Sequence, residues 1–115
     1  MTLETGTEHL LARQEGRVAV VTFNRPEARN ALSTEMYGGF QRVLPAIAAD
    51  PGIGCMLLTG EGGAFCAGGD VKAMAGRKAP GASGGQTVED RIDDLRARQE
   101  QVSLAIHELP KPVIA

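Results

Sequence analysis

A glycine-rich stretch at residues 60–72, GEGGAFCAGGDVK, carries the clearest chemical signal in the sequence. It follows an apolar run and leads into a short helical pattern, so we predict a turn between a strand and a helix. At such a turn the free backbone N–H groups of the helix start point outward together, and glycine lets a ligand approach them closely. The stretch therefore predicts a site for an oxyanion or a phosphate.

The spacing of these glycines does not fit the two common nucleotide motifs. It is not GxxxxGK[ST], which disfavours a P-loop, and Gly60, Gly62 and Gly63 do not match the dinucleotide fingerprint. Spacing alone leaves open an ordinary glycine-rich turn in which Asp70 caps the helix. Because neighbouring N–H groups favour the charged carboxylate, we assign Asp70 no proton transfer.

The other reactive side chains of the sequence are better explained by packing or solvation. Cys66 has no basic neighbour in the sequence that would make it a nucleophile, and neither His9 nor His107 resembles a catalytic base. The acids at residues 89–94 are interleaved with arginine, as on a solvated helix face. The sequence therefore predicts no metal site.

Two strands and a loop are expected ahead of the glycine-rich stretch. Residues 8–14 and the β-branched run at 18–23 flank a Glu-Gly turn and predict a hairpin. Pro26 cannot donate to a strand ladder and biases the residue before it away from helical angles. We therefore expect a loop to begin at Asn24.

A helix and a buried strand follow this loop. Ser33 or Thr34 can cap a helix whose apolar residues recur at three- and four-residue steps. Pro45 should kink this helix or end it early, and the Asp-Pro-Gly sequence at 50–52 should stop it. The apolar run at 55–59 is typical of a strand buried on both faces of a parallel sheet. Together these elements predict a βαβ unit.

The last part of the sequence predicts further elements of the same domain. We expect a short helix at 70–75, a mobile loop at 76–87 and a longer helix at 88–108, followed by a strand-like tail at 112–115. There is no internal repeat and no linker that would separate two domains. Residues 1–115 are therefore interpreted as part of one domain.

The overall composition argues against several classes of function. A hydrophobic fraction of 43% with 23% charged residues is typical of a folded globular protein rather than a disordered one. A net charge of −2 offers no dense basic face, so we expect no nucleic acid and no membrane as partner. Two cysteines are too few for a disulfide framework, and the first residues do not form a secretion signal. We therefore expect a cytoplasmic protein.

Four blocks of the sequence, in order, resemble the enoyl-CoA hydratase/isomerase (crotonase) family. They are FNRPEARNAL at 23–32, LTG at 58–60, FCAGGD at 65–70 and KPVIA at 111–115. The resemblance implies a crotonase-like α/β fold, the spiral of βαβ units shared with ClpP, in which acyl-CoA lies across the strand ends. It also implies that the chain is the N-terminal portion of that fold, incomplete at the C-terminus.

The resemblance assigns roles to residues on both sides of this predicted site. The backbone N–H of Gly69 would be one of two donors that hold the thioester oxygen as it takes on enolate character. Mostly backbone atoms would contact the adenine, ribose and phosphates of coenzyme A, with arginine and lysine as charge partners for phosphate. The implied binding residues are Arg25, Ala28, Arg29, Ala31, Ala67, Gly68, Gly69, Asp70, Val71 and Lys72.

The resemblance also implies an activity and a set of partners for the complete enzyme. We expect hydration or isomerisation of enoyl-CoA, as in fatty-acid β-oxidation, with coenzyme A as part of the substrate and no tightly bound cofactor. In the family the acid/base carboxylates, the second oxyanion donor and the helices that form a homotrimer or hexamer follow the KPVIA strand. We therefore expect the 115 residues alone to be inactive. A non-catalytic acyl-CoA-binding or assembly module is the alternative.

Overall fold

The strands of the protein form one mixed sheet in the computed structural model, which describes residues 2–69 and 88–115. Within these residues the sheet has five strands in chain order, of which the first three are antiparallel and the last three parallel. The predicted hairpin and the strand-like tail are therefore confirmed, and a short first strand is added. The strands are β1 (Thr2–Leu3), β2 (Leu10–Glu15), β3 (Val18–Phe23), β4 (Cys55–Gly60) and β5 (Val113–Ile114).

The helical elements lie between the strands in the chain order. The described helical elements are a 3₁₀ turn (Pro26–Ala28), α1 (Thr34–Ala49), α2 (Val88–Gln99), a π-helical segment (Glu100–Leu104) and α3 (Ala105–His107). The last three follow one another without a break, which agrees with the helix predicted there. The helix and mobile loop predicted for 70–87 lie outside the described residues. No helix of the described part is long and apolar enough to cross a membrane.

Helix α1 begins where the sequence predicts and runs further than its proline suggests. Ser33 is the N-cap, and its Oγ accepts a hydrogen bond from the N–H of Met36 at 3.2 Å. Pro45 removes one helical hydrogen bond, yet the helix continues to Ala49. Because Pro45 is exposed and Ile47 beyond it is completely buried, packing holds the last turn in place.

The C-terminus of α1 is tied to the segment that leads into β5. The Nζ of Lys111 donates hydrogen bonds to the carbonyl oxygens of Ile47, at 2.6 Å, and Asp50. The last carbonyls of a helix lack intrahelical partners and carry partial negative charge, so an ammonium group stabilises them. Lys111 thus fixes the start of β5 against α1.

The core lies between α1 and one face of the sheet. Strands β2, β3 and β4 each turn alternate side chains toward α1, and burial of a large aliphatic or aromatic side chain there contributes about 1.5–3 kcal/mol. This packing holds β3, α1 and β4 together as the predicted βαβ unit. The core residues of these elements are Leu10, Ala12, Ala19, Val21, Phe23, Met36, Phe40, Val43, Leu44, Ile47, Met56 and Leu58.

The opposite face of β4 corrects one prediction. We expected this strand to be buried on both faces, and Met56 and Leu58 are indeed 0% and 7% exposed on the side of α1. Cys55, Leu57 and Thr59 on the other side are only half-buried, so the prediction was wrong for that face. An apolar run shows that a strand can be buried, but it does not show whether other elements pack on both of its faces. The described residues cover this face of β4 only in part.

Candidate functional site

Two loops meet at the carboxyl ends of the parallel strands β3 and β4. The first loop, residues 25–32, follows β3, and the second loop, residues 61–69, follows β4. Phe23 and Gly60, at the ends of the two strands, are paired in the sheet. In open α/β sheets ligands bind outside the carboxyl ends of the strands. The loops therefore lie where a ligand site is expected.

The first loop is a tight turn with unusual backbone angles. The N–H groups of Ala28 and Asn30 both donate to the carbonyl of Arg25, at 2.9 and 2.8 Å. Arg29 and Asn30 have left-handed φ angles of 54° and 59°. Left-handed residues other than glycine are uncommon, and two in succession need support from their surroundings.

Arg25 provides part of that support. Its Nη1 donates to the carbonyl of Ala31 at 3.0 Å, so the half-buried guanidinium group braces the loop from within. The side chain of Ala31 is buried, that of Ala28 is half-buried and that of Arg29 is exposed. Arg29 is therefore the more accessible of the two arginines predicted to pair with phosphate, and that pairing stays a prediction.

Asn30 joins the first loop to the second, a role that the sequence analysis did not assign. Its completely buried side chain accepts a hydrogen bond at Oδ1 from the N–H of Arg25, at 2.7 Å. Its Nδ2 donates to the carbonyls of Glu61 and Ala64, at 2.9 and 2.7 Å. Both amide hydrogens thus cross to the second loop. Asparagine tolerates left-handed angles better than most residues, and this was the signal available in the sequence.

The tight path of the second loop beside Asn30 depends on Gly60. A Cβ atom at this position would lie 2.6 Å from the carbonyl oxygen of Ala64, 2.9 Å from Nδ2 of Asn30 and closer still to the carbonyl oxygen of Phe65. Since no side chain fits there, the turn requires glycine. Phe65 then packs edge-on against Phe23, with ring centroids 5.4 Å apart.

The far ends of the two loops are joined by backbone hydrogen bonds. The N–H of Ala67 donates to the carbonyl of Arg29 at 3.1 Å, and the N–H of Leu32 donates to the carbonyl of Gly68 at 2.7 Å. Leu32 and Gly69 form a parallel bridge. In this parallel pairing the N–H of Leu32 bonds to the carbonyl of Gly68 and not to Gly69 itself, so the N–H of Gly69 is directed away from Leu32. No acceptor within the described residues engages that N–H.

The structure thus brings most of the predicted site residues together on two connected loops. Gly68 has a left-handed φ of 94°, which explains glycine at that position. Asp70, Val71 and Lys72 lie outside the described residues, and their roles stay predictions. The predicted site residues that the structure does join are Arg25, Ala28, Arg29, Ala31, Ala67, Gly68 and Gly69.

A polar cluster lies where the first loop enters α1. The Nδ1 of His9 lies 2.8 Å from Oγ of Ser33 and 3.4 Å from a carboxylate oxygen of Glu35. A hydrogen bond from its own backbone N–H lowers the pKa of Glu35, against an opposing effect of partial burial, and His9, Ser33 and Arg25 lower it further. The cluster therefore favours a charged carboxylate at the positive end of the helix.

Known proteins match this chain over most of its length. A family model described as enoyl-CoA hydratase/isomerase matches residues 18–115. An enoyl-CoA hydratase of Mycobacterium tuberculosis is 45% identical over 99% of this chain and 40% of its own length. The mitochondrial 3-hydroxyisobutyryl-CoA hydrolase of Rattus norvegicus is 35% identical over 100% of this chain and 28% of its own length.

Solved structures match the fold as well. The crystal structure of an enoyl-CoA hydratase/isomerase from Marinobacter aquaeolei is 36% identical, with a TM-score of 0.76 over 93% of this chain and 40% of the other. This match confirms the crotonase-like α/β fold. The chain spans 40% of the length of the mycobacterial relative. Because the family model matches residues 18–115, the chain is a member of the enoyl-CoA hydratase/isomerase family.

Proposed function

We propose that the chain belongs to an acyl-CoA-processing enzyme, an enoyl-CoA hydratase or isomerase, and contributes the acyl-CoA-binding part of its active site. The observation that carries this proposal is the N–H of Gly69, which the two joined loops hold at the strand ends and direct away from Leu32. Because the chain belongs to the enoyl-CoA hydratase/isomerase family, we infer that the group bound by this donor is the thioester of an acyl-CoA.

In the proposed reaction the Gly69 N–H stabilises negative charge on the thioester oxygen. Addition of water to the 2,3 double bond, or movement of a proton along the acyl chain, gives this oxygen enolate character. A donor that is fixed before the substrate arrives needs no reorganisation, and loss of one such donor costs about a hundredfold to a thousandfold in rate. The hydrogen bonds from Asn30 to the second loop and from Leu32 to Gly68 supply that fixation.

The same loops are proposed to hold the coenzyme A portion of the substrate. Arg29 is exposed and can offer phosphate a bidentate guanidinium, whereas Arg25 supports the site by holding the carbonyl of Ala31. Lys72 would add a second charge. The full proposed binding surface comprises Arg25, Ala28, Arg29, Ala31, Ala67, Gly68, Gly69, Asp70, Val71 and Lys72.

We propose that the remaining parts of the active site lie elsewhere in the enzyme. We assign the acid/base carboxylates and the second oxyanion donor to residues outside these 115, so that this chain alone would not turn over. We further propose a homotrimer or hexamer with no tightly bound cofactor. A cytoplasmic location is proposed as well, because both cysteines are free, as a reducing compartment favours.

The oxyanion role is tested by a pair of substitutions at Gly69. Gly69→Pro removes the backbone N–H, whereas Gly69→Ala keeps it. In the complete enzyme with crotonyl-CoA, we expect kcat/KM to fall at least about a hundredfold for the proline variant, and the alanine variant to stay close to the unchanged enzyme. Circular dichroism should show both variants folded. Near-normal turnover by a folded proline variant would refute the role, and coenzyme A binding without any turnover by the unchanged protein would favour a binding module.

A further inference from the structure

Asn30 controls the start of the loop that carries the Gly69 donor. Its Nδ2 holds the carbonyls of Glu61 and Ala64, which lie in the first half of the second loop. The second half is held separately, through the backbone bond from Leu32 to Gly68. The loop is thus attached at both ends, and Gly69 lies directly beyond the second attachment.

The position of Asn30 is itself fixed by two hydrogen bonds to Arg25 and by burial of its side chain. Its Oδ1 accepts from the N–H of Arg25, its backbone N–H donates to the carbonyl of Arg25, and its side chain is completely buried. A buried amide whose acceptor and both donor hydrogens are engaged has one orientation available. The carbonyls of Glu61 and Ala64, which accept hydrogen bonds from Asn30, are therefore held in fixed positions.

We propose that Asn30 is a positioning residue for the oxyanion donor: it fixes the second loop so that the Gly69 N–H lies at hydrogen-bonding distance from the thioester oxygen. This inference rests on the proposed function of Gly69. Asn30 is buried and does not touch the substrate. It acts through the second loop, whose donor has to lie about 2.7–3.1 Å from the developing oxyanion.

An aspartate at position 30 gives the proposal a specific signature. The second carboxyl oxygen would replace Nδ2 and face the carbonyl oxygens of Glu61 and Ala64, so the charged form would repel both. Burial and these carbonyls raise the pKa of the new carboxyl, while the side chains of Arg25 and Arg29 act in the opposite direction. The protonated form restores one donor. Activity should therefore be low above the raised pKa and recover as the pH falls through it.

The experiment measures kcat and KM for crotonyl-CoA across the pH range in the complete enzyme. We expect Asn30→Asp to lower kcat about a hundredfold at neutral pH, because a misplacement of about 1 Å can cost that much. Relative to the unchanged enzyme, kcat should recover toward acidic pH, and KM should change less than kcat. Asn24→Asp is the matched control, because the Nδ2 of Asn24 donates to the carbonyl of Glu8 and not to the second loop.

The outcomes separate the two proposals. An unchanged enzyme without crotonyl-CoA turnover would reject the proposed function. An active enzyme in which folded Asn30→Asp keeps its kcat and pH profile, or in which Asn24→Asp loses as much, would reject the positioning role. If the aspartate variant does not fold, Asn30→Ser, whose hydroxyl can serve one of the two carbonyls, should fold with reduced kcat. A serine variant of normal kcat, or failure of both variants to fold, would also reject the role.

Discussion

Gly60→Ala should displace the second loop without touching the donor or any residue of the proposed binding surface. The new Cβ would lie 2.6 Å from the carbonyl oxygen of Ala64, where ordinary contacts begin at 3.4 Å. The carbonyl would therefore have to move by about 0.8 Å. A backbone carbonyl cannot move aside as easily as the end of a flexible side chain. The new methyl group also cannot turn away from Ala64, because the carbonyl oxygen of Phe65 and Nδ2 of Asn30 lie against it as well.

The displacement predicts a larger effect on rate than on folding. Overpacking of this kind costs about 1–3 kcal/mol of stability. A shift approaching 1 Å at the reacting centre costs up to about a hundredfold in rate, and part of the shift at Ala64 will be absorbed before it reaches Gly69. We therefore expect kcat to fall between about tenfold and a hundredfold while the protein remains folded.

The assay is crotonyl-CoA turnover by the complete enzyme, with the urea midpoint measured in parallel. Gly63→Ala is the matched control, because the same methyl group on the same loop would meet no heavy atom within 4 Å. Its kcat and midpoint should remain close to those of the unchanged enzyme. If Gly60→Ala and Gly63→Ala gave the same kcat, the second loop would not transmit position to Gly69, and the reasoning would fail.

Two further predictions concern stability. Lys111→Met should cost about 2 kcal/mol, because it removes charge-assisted hydrogen bonds to the last carbonyls of α1. Arg13→Met is the control, because it removes only an exposed ion pair with Glu15 and should cost less than about 1 kcal/mol. Equal urea midpoints for the two variants would contradict the stabilising role of Lys111. The pKa of Glu35 is lowered from 4.5, so its charged form stabilises the fold above that value and the contribution is lost as the pH falls through the lowered pKa. The stability difference between the protein and Glu35→Gln should be largest at neutral pH and vanish in strong acid, and a difference independent of pH would count against it.

Elements around the site could be predicted from the sequence because each depends on residues close together in the chain. Ser33 caps α1 as expected, the run at 18–23 forms a strand, and the turn at Asp50 ends the helix. Where a local signal competed with packing, packing decided the outcome. Pro45 signals an interruption, yet burial of Ile47 two residues later keeps the helix intact.

The connection between the loops could not be predicted in the same way. Asn30 meets Glu61 and Ala64 across 31 and 34 residues of sequence, and no spacing rule links positions so far apart. Gly60 gave a partial signal, since a glycine after a strand predicts a turn. What the sequence did not contain was the reason for that glycine, which is the close approach of the carbonyls of Ala64 and Phe65 and, from the other loop, of the amide of Asn30.

Several residues in the blocks that identify the family hold the backbone in place. Arg25 and Asn30 direct their side chains to main-chain groups of the two loops, Gly60 admits their contact, and Lys111 caps α1. The proposed donor at Gly69 is itself a main-chain group. A site built from main-chain donors is specified by the residues that shape the main chain, so these residues can stay the same while the acid/base groups around a bound thioester differ. Such a separation would allow a hydratase and a hydrolase to match the same stretch of sequence, as the two relatives do.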